Sequence, residues 1–274
     1  MAIFTLEQLK LAESFIQDNK INEIVPVFEG IVKDIKEAQE SEFKSTDEVQ
    51  YFCFENLLEK LIYKKVEDDP RELIDVDLPF DRVYSDLAFC YIQLQNYDGA
   101  REALAQAVRW NPINCAYRLN LAELYRVSEK AEEWLGLSYS VFDRAYHPEH
   151  IVQAYMNFIP YMINLKKVST AAALTKAALE LLPDEPSVNE AADALKDAGS
   201  DPRTMDSNLA EQLLEEMQIP EGANATVIIT ALICSEQAKE QGKQELVDHF
   251  EEIAGRLASQ ETVETLRALV QDTK

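Results

Sequence analysis

The residues that could carry chemistry are few and scattered. Of three histidines, His147 and His150 flank Pro148 and Glu149 as HPEH. A metal could use such a pair, but no cysteine or further histidine lies near it in the chain to complete a ligand set. The segment therefore reads as a helix start with Pro148 in its first turn. His249 falls on the outer face of an amphipathic stretch and reads as solvated. Cys53, Cys90, Cys115 and Cys234 include no CxxC pair, and each sits among apolar residues at helical spacing, the pattern of buried thiols. Adjacent acids such as Glu215/Glu216 and Glu251/Glu252 point to different sides of a helix and make a solvated face, not an acid–base dyad. There is no phosphate-cradling glycine loop, no GxSxG and no HExxH, and 7 glycines cannot build a glycine-rich nucleotide site. The expectation is a non-catalytic protein with no cofactor and no metal.

Composition narrows the class. The 274 residues are 47% apolar with only 7 Gly and 10 Pro, which favours long helices over a sandwich of short strands. Fifty acidic against 26 basic side chains give a formal charge of −24, spread along the chain. Such a field repels phosphate backbones and anionic lipid, so neither nucleic acid nor membrane is an expected partner, and a neutral or basic protein or peptide is. Aromatic side chains without a basic groove make a poor single-strand site. The segment MAIFTLEQLKLAESF lacks the basic and apolar regions of a secretory signal. The longest apolar run, Ala225 to Cys234, is about half of the ~20 residues a membrane span needs. With unpaired cysteines, these features lead to a cytoplasmic expectation.

The elements that must position any site follow from periodicity. Counting Asp81 as position 1, the chain has Tyr84 at 4, Leu87 at 7, Ala88 at 8, Tyr91 at 11, Ala100 at 20, Leu104 at 24, Ala107 at 27 and Pro112 at 32. Two antiparallel helices approach closely where small residues meet, here Ala88 against Ala100 and Ala107, while the larger side chains fill the space around that contact. Asn96 to Gly99 break the run and Pro112 ends it. This pattern resembles the tetratricopeptide repeat, of about 34 residues. A second unit from Cys115 matches at Leu121, Ala122 and Tyr125 and then drifts, implying an insertion near Val127 to Trp134. A third, Val152 to Glu185, matches at Tyr155, Phe158, Ala171, Ala178 and Pro183, but Pro160 should kink or shorten its first helix.

The resemblance implies an all-α fold, helix pairs stacked as a right-handed solenoid with extra helices at both ends. The expected organisation is an N-terminal helical segment (1–65), an acidic connector (66–80), the repeat array with a capping helix (81–198), a linker (199–207) and a C-terminal helical segment (208–274) that could be a decayed repeat. Thr5 to Asn19, Glu23 to Glu40 and Thr46 to Lys65 read as helices, with Thr5/Gln8 and Ser45/Glu48 as capping boxes. Further helices are expected near Asn208 to Met217, Ala225 to Gln241, Lys243 to Ala258 and Thr262 to Gln271.

In this family the first helix of each pair lines a concave groove for peptides or partner helices. The positions that tend to face it fall here on Arg82, Ser85, Asp86, Phe89, Ile92 and Gln93, then on Ala116, Leu119, Asn120, Glu123, Arg126 and Val127. The third unit contributes Gln153, Met156, Asn157, Pro160, Ile163 and Asn164. Family members that clamp acidic C-termini use Lys, Asn and Arg where this chain has Ser85, Phe89, Gln153 and Asn157, so that clamp is missing. Asp86, Asn120 and Asn157 occupy the place of a partial asparagine ladder, whose amides could pair with a peptide backbone, or could only satisfy local groups. The leading expectation is an interaction scaffold. The alternatives are a peptide-responsive regulator hinged at Val66 to Phe80, and an accessory domain that self-assembles through Val227, Ile228, Ile229 and Leu232.

Overall fold

Thr5 opens the first helix as expected: its hydroxyl accepts from the Gln8 amide at 3.1 Å, and Gln8 Oε1 accepts from the Thr5 amide at 2.8 Å. The computed structural model describes residues 3–272, in which fourteen helices and two short strands are formed. They divide into two compact units, one ending at Ser128 and the other beginning at Glu129.

The first unit contains α1 (Leu6–Gln17), α2 (Ile21–Ser41), β1 (Val49–Phe52), α3 (Leu57–Val66), β2 (Glu72–Asp75), α4 (Phe80–Gln93), α5 (Tyr97–Trp110) and α6 (Cys115–Val127). The α4–α5 pair meets as its small residues require, with Ala88 1% exposed and Ala100 and Ala107 at 0%. A Cβ on Gly99 would lie 2.7 Å from Asn96 Nδ2 and 2.9 Å from Tyr91 Cδ2. Only glycine allows that approach while Asn96 caps α5 by accepting from the Gly99 amide at 3.1 Å. The helix ends share one device. Asn19, Gln95 and Glu129 take left-handed backbone angles near +57° to +59° just past α1, α4 and α6, the closing turn of an αL cap.

Thr46 to Lys65 is not one helix. The residues VQYF of β1 alternate in burial, with Gln50 and Phe52 buried and Val49 and Tyr51 half-buried, the period-2 pattern of a strand. In place of a Ser45 cap, Thr46 Oγ1 accepts from the Glu48 and Val49 amides at 3.2 and 3.1 Å and turns the chain into the strand. Nor is Val66 to Phe80 a loose hinge. It contains β2, which pairs in parallel with β1, Val49 opposite Glu72 through Phe52 opposite Asp75, with α3 as the crossover. This β-α-β unit is tied to the repeat. The Cys53 amide donates to the Trp110 carbonyl at 2.8 Å, and the buried Glu59 carboxylate accepts from Asn111 Nδ2 at 2.9 Å and the Glu55 amide at 2.6 Å. Phe80 sits edge-on to Trp110 with centroids 5.0 Å apart, and against Phe43 at 5.5 Å and Phe4 at 6.1 Å.

The second unit contains α7 (Ala131–Ser140), α8 (Pro148–Asn164), α9 (Val168–Leu181), α10 (Pro186–Asp197), α11 (Ser207–Glu216), α12 (Ala225–Glu240), α13 (Gln244–Leu257) and α14 (Gln260–Asp272). The HPEH segment is the start of α8, with His147 at its N-cap and Pro148 in its first turn. The helix neither stops nor shortens at Pro160, which lies on its exposed side, where water can satisfy the carbonyl left without an amide partner. The α8–α9 pair repeats the small-residue contact at Ala171 and Ala178, both fully buried. Lys166 takes the left-handed turn that Gln95 takes after α4. Tyr155 pins a later loop, its hydroxyl donating to the Pro220 carbonyl at 2.7 Å and accepting from the Gly222 amide at 2.8 Å. The α12–α13 pair buries Cys234, Ser235, Ala238 and Ala254. Val227, Ile228 and Leu232 are buried within the chain and Ile229 is half-buried, so the exposed face required for self-assembly through 225–234 is absent. All four cysteines are buried and none is in a disulfide.

Candidate functional site

Helix α4 places residues 85, 86, 89 and 92 on one side because i, i+3, i+4 and i+7 share a helical face. Helix α6 does the same with 120, 123, 124 and 127. These faces line a cavity of about 760 Å³ whose wall includes Ser85, Asp86, Phe89, Ile92, Asn120, Glu123 and Val127. Seven expected groove residues are thus brought together within the first unit. The wall is mostly apolar: Phe89 is 45% and Val127 55% exposed, costly surface to leave in water unless something covers it. Asn120 presents an exposed amide beside them.

Other expected residues lie elsewhere. Arg82 is outside the cavity wall, with Nη2 2.5 Å from Glu13 Oε1. Arg126 embraces Glu123 through Nε at 2.6 Å and Nη2 at 2.5 Å. Gln93 is exposed and Ala116 half-buried, both off the wall, while Leu119 is buried in the core. In the second unit Gln153, Pro160, Ile163 and Asn164 are exposed and Met156 is half-buried. Asn157 donates from Nδ2 to Ser138 Oγ at 2.9 Å, so its amide serves a local contact and not a ladder.

Six residues of the wall are not among the expected groove positions: Ile16 of α1, Ala88 of α4, Tyr97 and Leu104 of α5, Leu124 of α6 and Ser128 just past it. Tyr97 and Leu104 belong to the second helix of the pair, which the family groove positions omit. Helix α1 enters because it packs on α2 and α4, and its Glu13 and Ile16, three apart, face the same way.

The electrostatics of the wall centre on Asp86. Burial, reinforced by the neighbouring Glu13 carboxylate and opposed by Arg82, pushes its carboxyl up to about 7. Among the described residues Asp86 Oδ2 is buried without a hydrogen-bond donor. Below the cavity, Asp81 is raised by burial to about 6 although it accepts from the Tyr117 hydroxyl at 3.1 Å. No group of three or more His, Cys, Asp or Glu suited to a metal occurs among the described residues, and no helix among them is long and apolar enough to cross a membrane.

Residues 81–114 match the tetratricopeptide repeat family. No curated protein matches the sequence. A solved chain described under "Functional Characterization of Pseudomonas Aeruginosa pilF" is 14% identical, with 97% of this chain and 95% of that chain aligned and a TM-score of 0.46. The α4–α5 pair is thus the part of the chain that matches a tetratricopeptide repeat.

Proposed function

We propose that the protein is a non-catalytic interaction scaffold that holds a peptide or partner helix in the groove between α4 and α6. The observation that carries this reading is the single cavity wall assembled from the first helix of the matched repeat and the first helix of the following pair. It offers exposed apolar surface at Phe89 and Val127 for side chains and the Asn120 amide for a peptide backbone. The chain's formal charge of −24 favours a neutral or basic partner over nucleic acid. Four buried cysteines outside any disulfide suit a reducing compartment such as the cytoplasm.

The test is equilibrium binding of a displayed random-dodecamer library to the full chain and to Phe89→Ala and Asn120→Ala. Asn120→Ala removes up to two backbone hydrogen bonds of about 0.5–1.5 kcal/mol each, at an exposed helix position that tolerates alanine. Retained peptides should bind each variant about tenfold or more weakly with unchanged circular dichroism. Equal affinity in all three proteins would remove this groove from consideration.

A further inference from the structure

We propose that the groove, completed by α1, takes a peptide segment in which a lysine or arginine stands next to a large apolar residue, the cation at Asp86 and the apolar side chain against Phe89, Ile92 and Val127. This rests on the groove reading above and specifies its ligand. The argument is one of charge accounting along the cavity wall. Glu13 has its counter-charge in Arg82, and Glu123 has Arg126. Asp86 forms no ion pair among the described residues, for Arg82 attracts it but is engaged by Glu13, whose carboxylate also faces Asp86, and its Oδ2 is buried without a donor. The free protein therefore already bears the desolvation cost of Asp86. An ammonium or guanidinium brought by the ligand supplies both the missing charge and the missing donors. A carboxylate or a purely apolar chain laid over Asp86 would only deepen its burial. Apolar surface adjoins that carboxylate on α4 itself, since Phe89 is three residues on and Ile92 six, both on the same cavity wall.

The charged and titratable groups around Asp86 are Glu13 from α1, Asp81, Arg82 and Cys90 from α4, Tyr97 from α5, and Tyr117 and Glu123 from α6. None of these is a histidine, and burial together with the Glu13 carboxylate raises the Asp86 carboxyl to about 7. A cation bound only by the ionised form should therefore bind more weakly as pH falls through that value, by up to about tenfold between pH 8 and pH 6.

The probe is a fluorescein-labelled positional-scanning library of N-acetylated, C-amidated octapeptides, read by fluorescence anisotropy with the full chain. The expected result is selection of Lys or Arg at one position beside a position selecting Leu, Ile or Phe. Asp86→Asn should lose the basic preference and the pH dependence while keeping the apolar preference. Glu13→Gln, which removes the carboxylate that adds to the effect of burial on Asp86, should keep the basic preference and move the pH midpoint downward, so the proposal can be judged even if Asp86→Asn folds poorly. Peptides bound without basic preference, or a preference that survives in Asp86→Asn, would overturn this inference and leave the groove standing. No retained peptide at all would overturn the groove reading and this inference with it.

Discussion

Replacing Ala100 with leucine tests the repeat at its tightest point. Ala100 is 0% exposed and faces Ala88, itself 1% exposed, at the α4–α5 contact. It lines neither the groove nor the smaller cavity beside Asp81. Three added carbons would gain about 0.8 kcal/mol each if space received them. With none available, the helices must part or leucine must leave its preferred rotamers, at a cost of about 1–3 kcal/mol. For a unit of this size that lowers the melting temperature by roughly 3–12 °C. The control is Ala105→Leu, five residues along α5 on its exposed side, where the change should stay within about 0.5 kcal/mol. Differential scanning calorimetry of the full chain and both variants reads the difference. Equal melting of Ala100→Leu and Ala105→Leu would refute the assigned register of the repeat.

Gly99→Ala should also destabilise, because the new Cβ meets Asn96 Nδ2 at 2.7 Å and Tyr91 at 2.9 Å; a loss of about 1–3 kcal/mol is expected by urea titration, and an unchanged midpoint would contradict the close approach. Asp81 predicts a pH effect with a definite sign. Its carboxyl is raised from the ordinary 3.8 to about 6, so its contribution to stability is full below the unfolded value and lost as pH rises through about 6. Asp81→Asn, which keeps an acceptor for Tyr117, should therefore improve relative to the parent protein by up to about 3 kcal/mol between pH 3.5 and pH 8, and a pH-independent difference between the two melting curves would count against a strained buried carboxylate.

The repeat was legible because its constraint is local and steric: alanines at fixed offsets admit few alternatives to a close helix contact. Ser85, Asp86, Phe89, Ile92, Asn120, Glu123 and Val127 could be placed for the same reason, being spaced by the helical period on two helices whose pairing the repeat defines. The β-α-β unit was not legible. Ser45 and Glu48 imitate a capping box, and the signal for a strand, alternating burial over VQYF, is only four residues long. The parallel pairing of Val49 with Glu72 is non-local, so nothing near either residue announces it. The role of α1 was hidden for a similar reason, since Ile16 reaches the cavity only through tertiary packing. Asn157 shows the opposite failure: a repeat position that matches the groove pattern but is satisfied by Ser138. Pro160 misled because a proline penalty depends on which side of the helix carries the lost hydrogen bond.

The central claim, that a peptide lies between α4 and α6, is tested most directly by amide chemical-shift mapping of the isotopically labelled full chain titrated with an octapeptide selected from the library. The account predicts that the largest shifts fall on Ser85, Asp86, Phe89, Ile92, Asn120 and Val127, with Ile16 of α1 among them and the buried α12–α13 contact unmoved. Shifts concentrated on α12–α13, or on α2 with α4 and α6 silent, would contradict it.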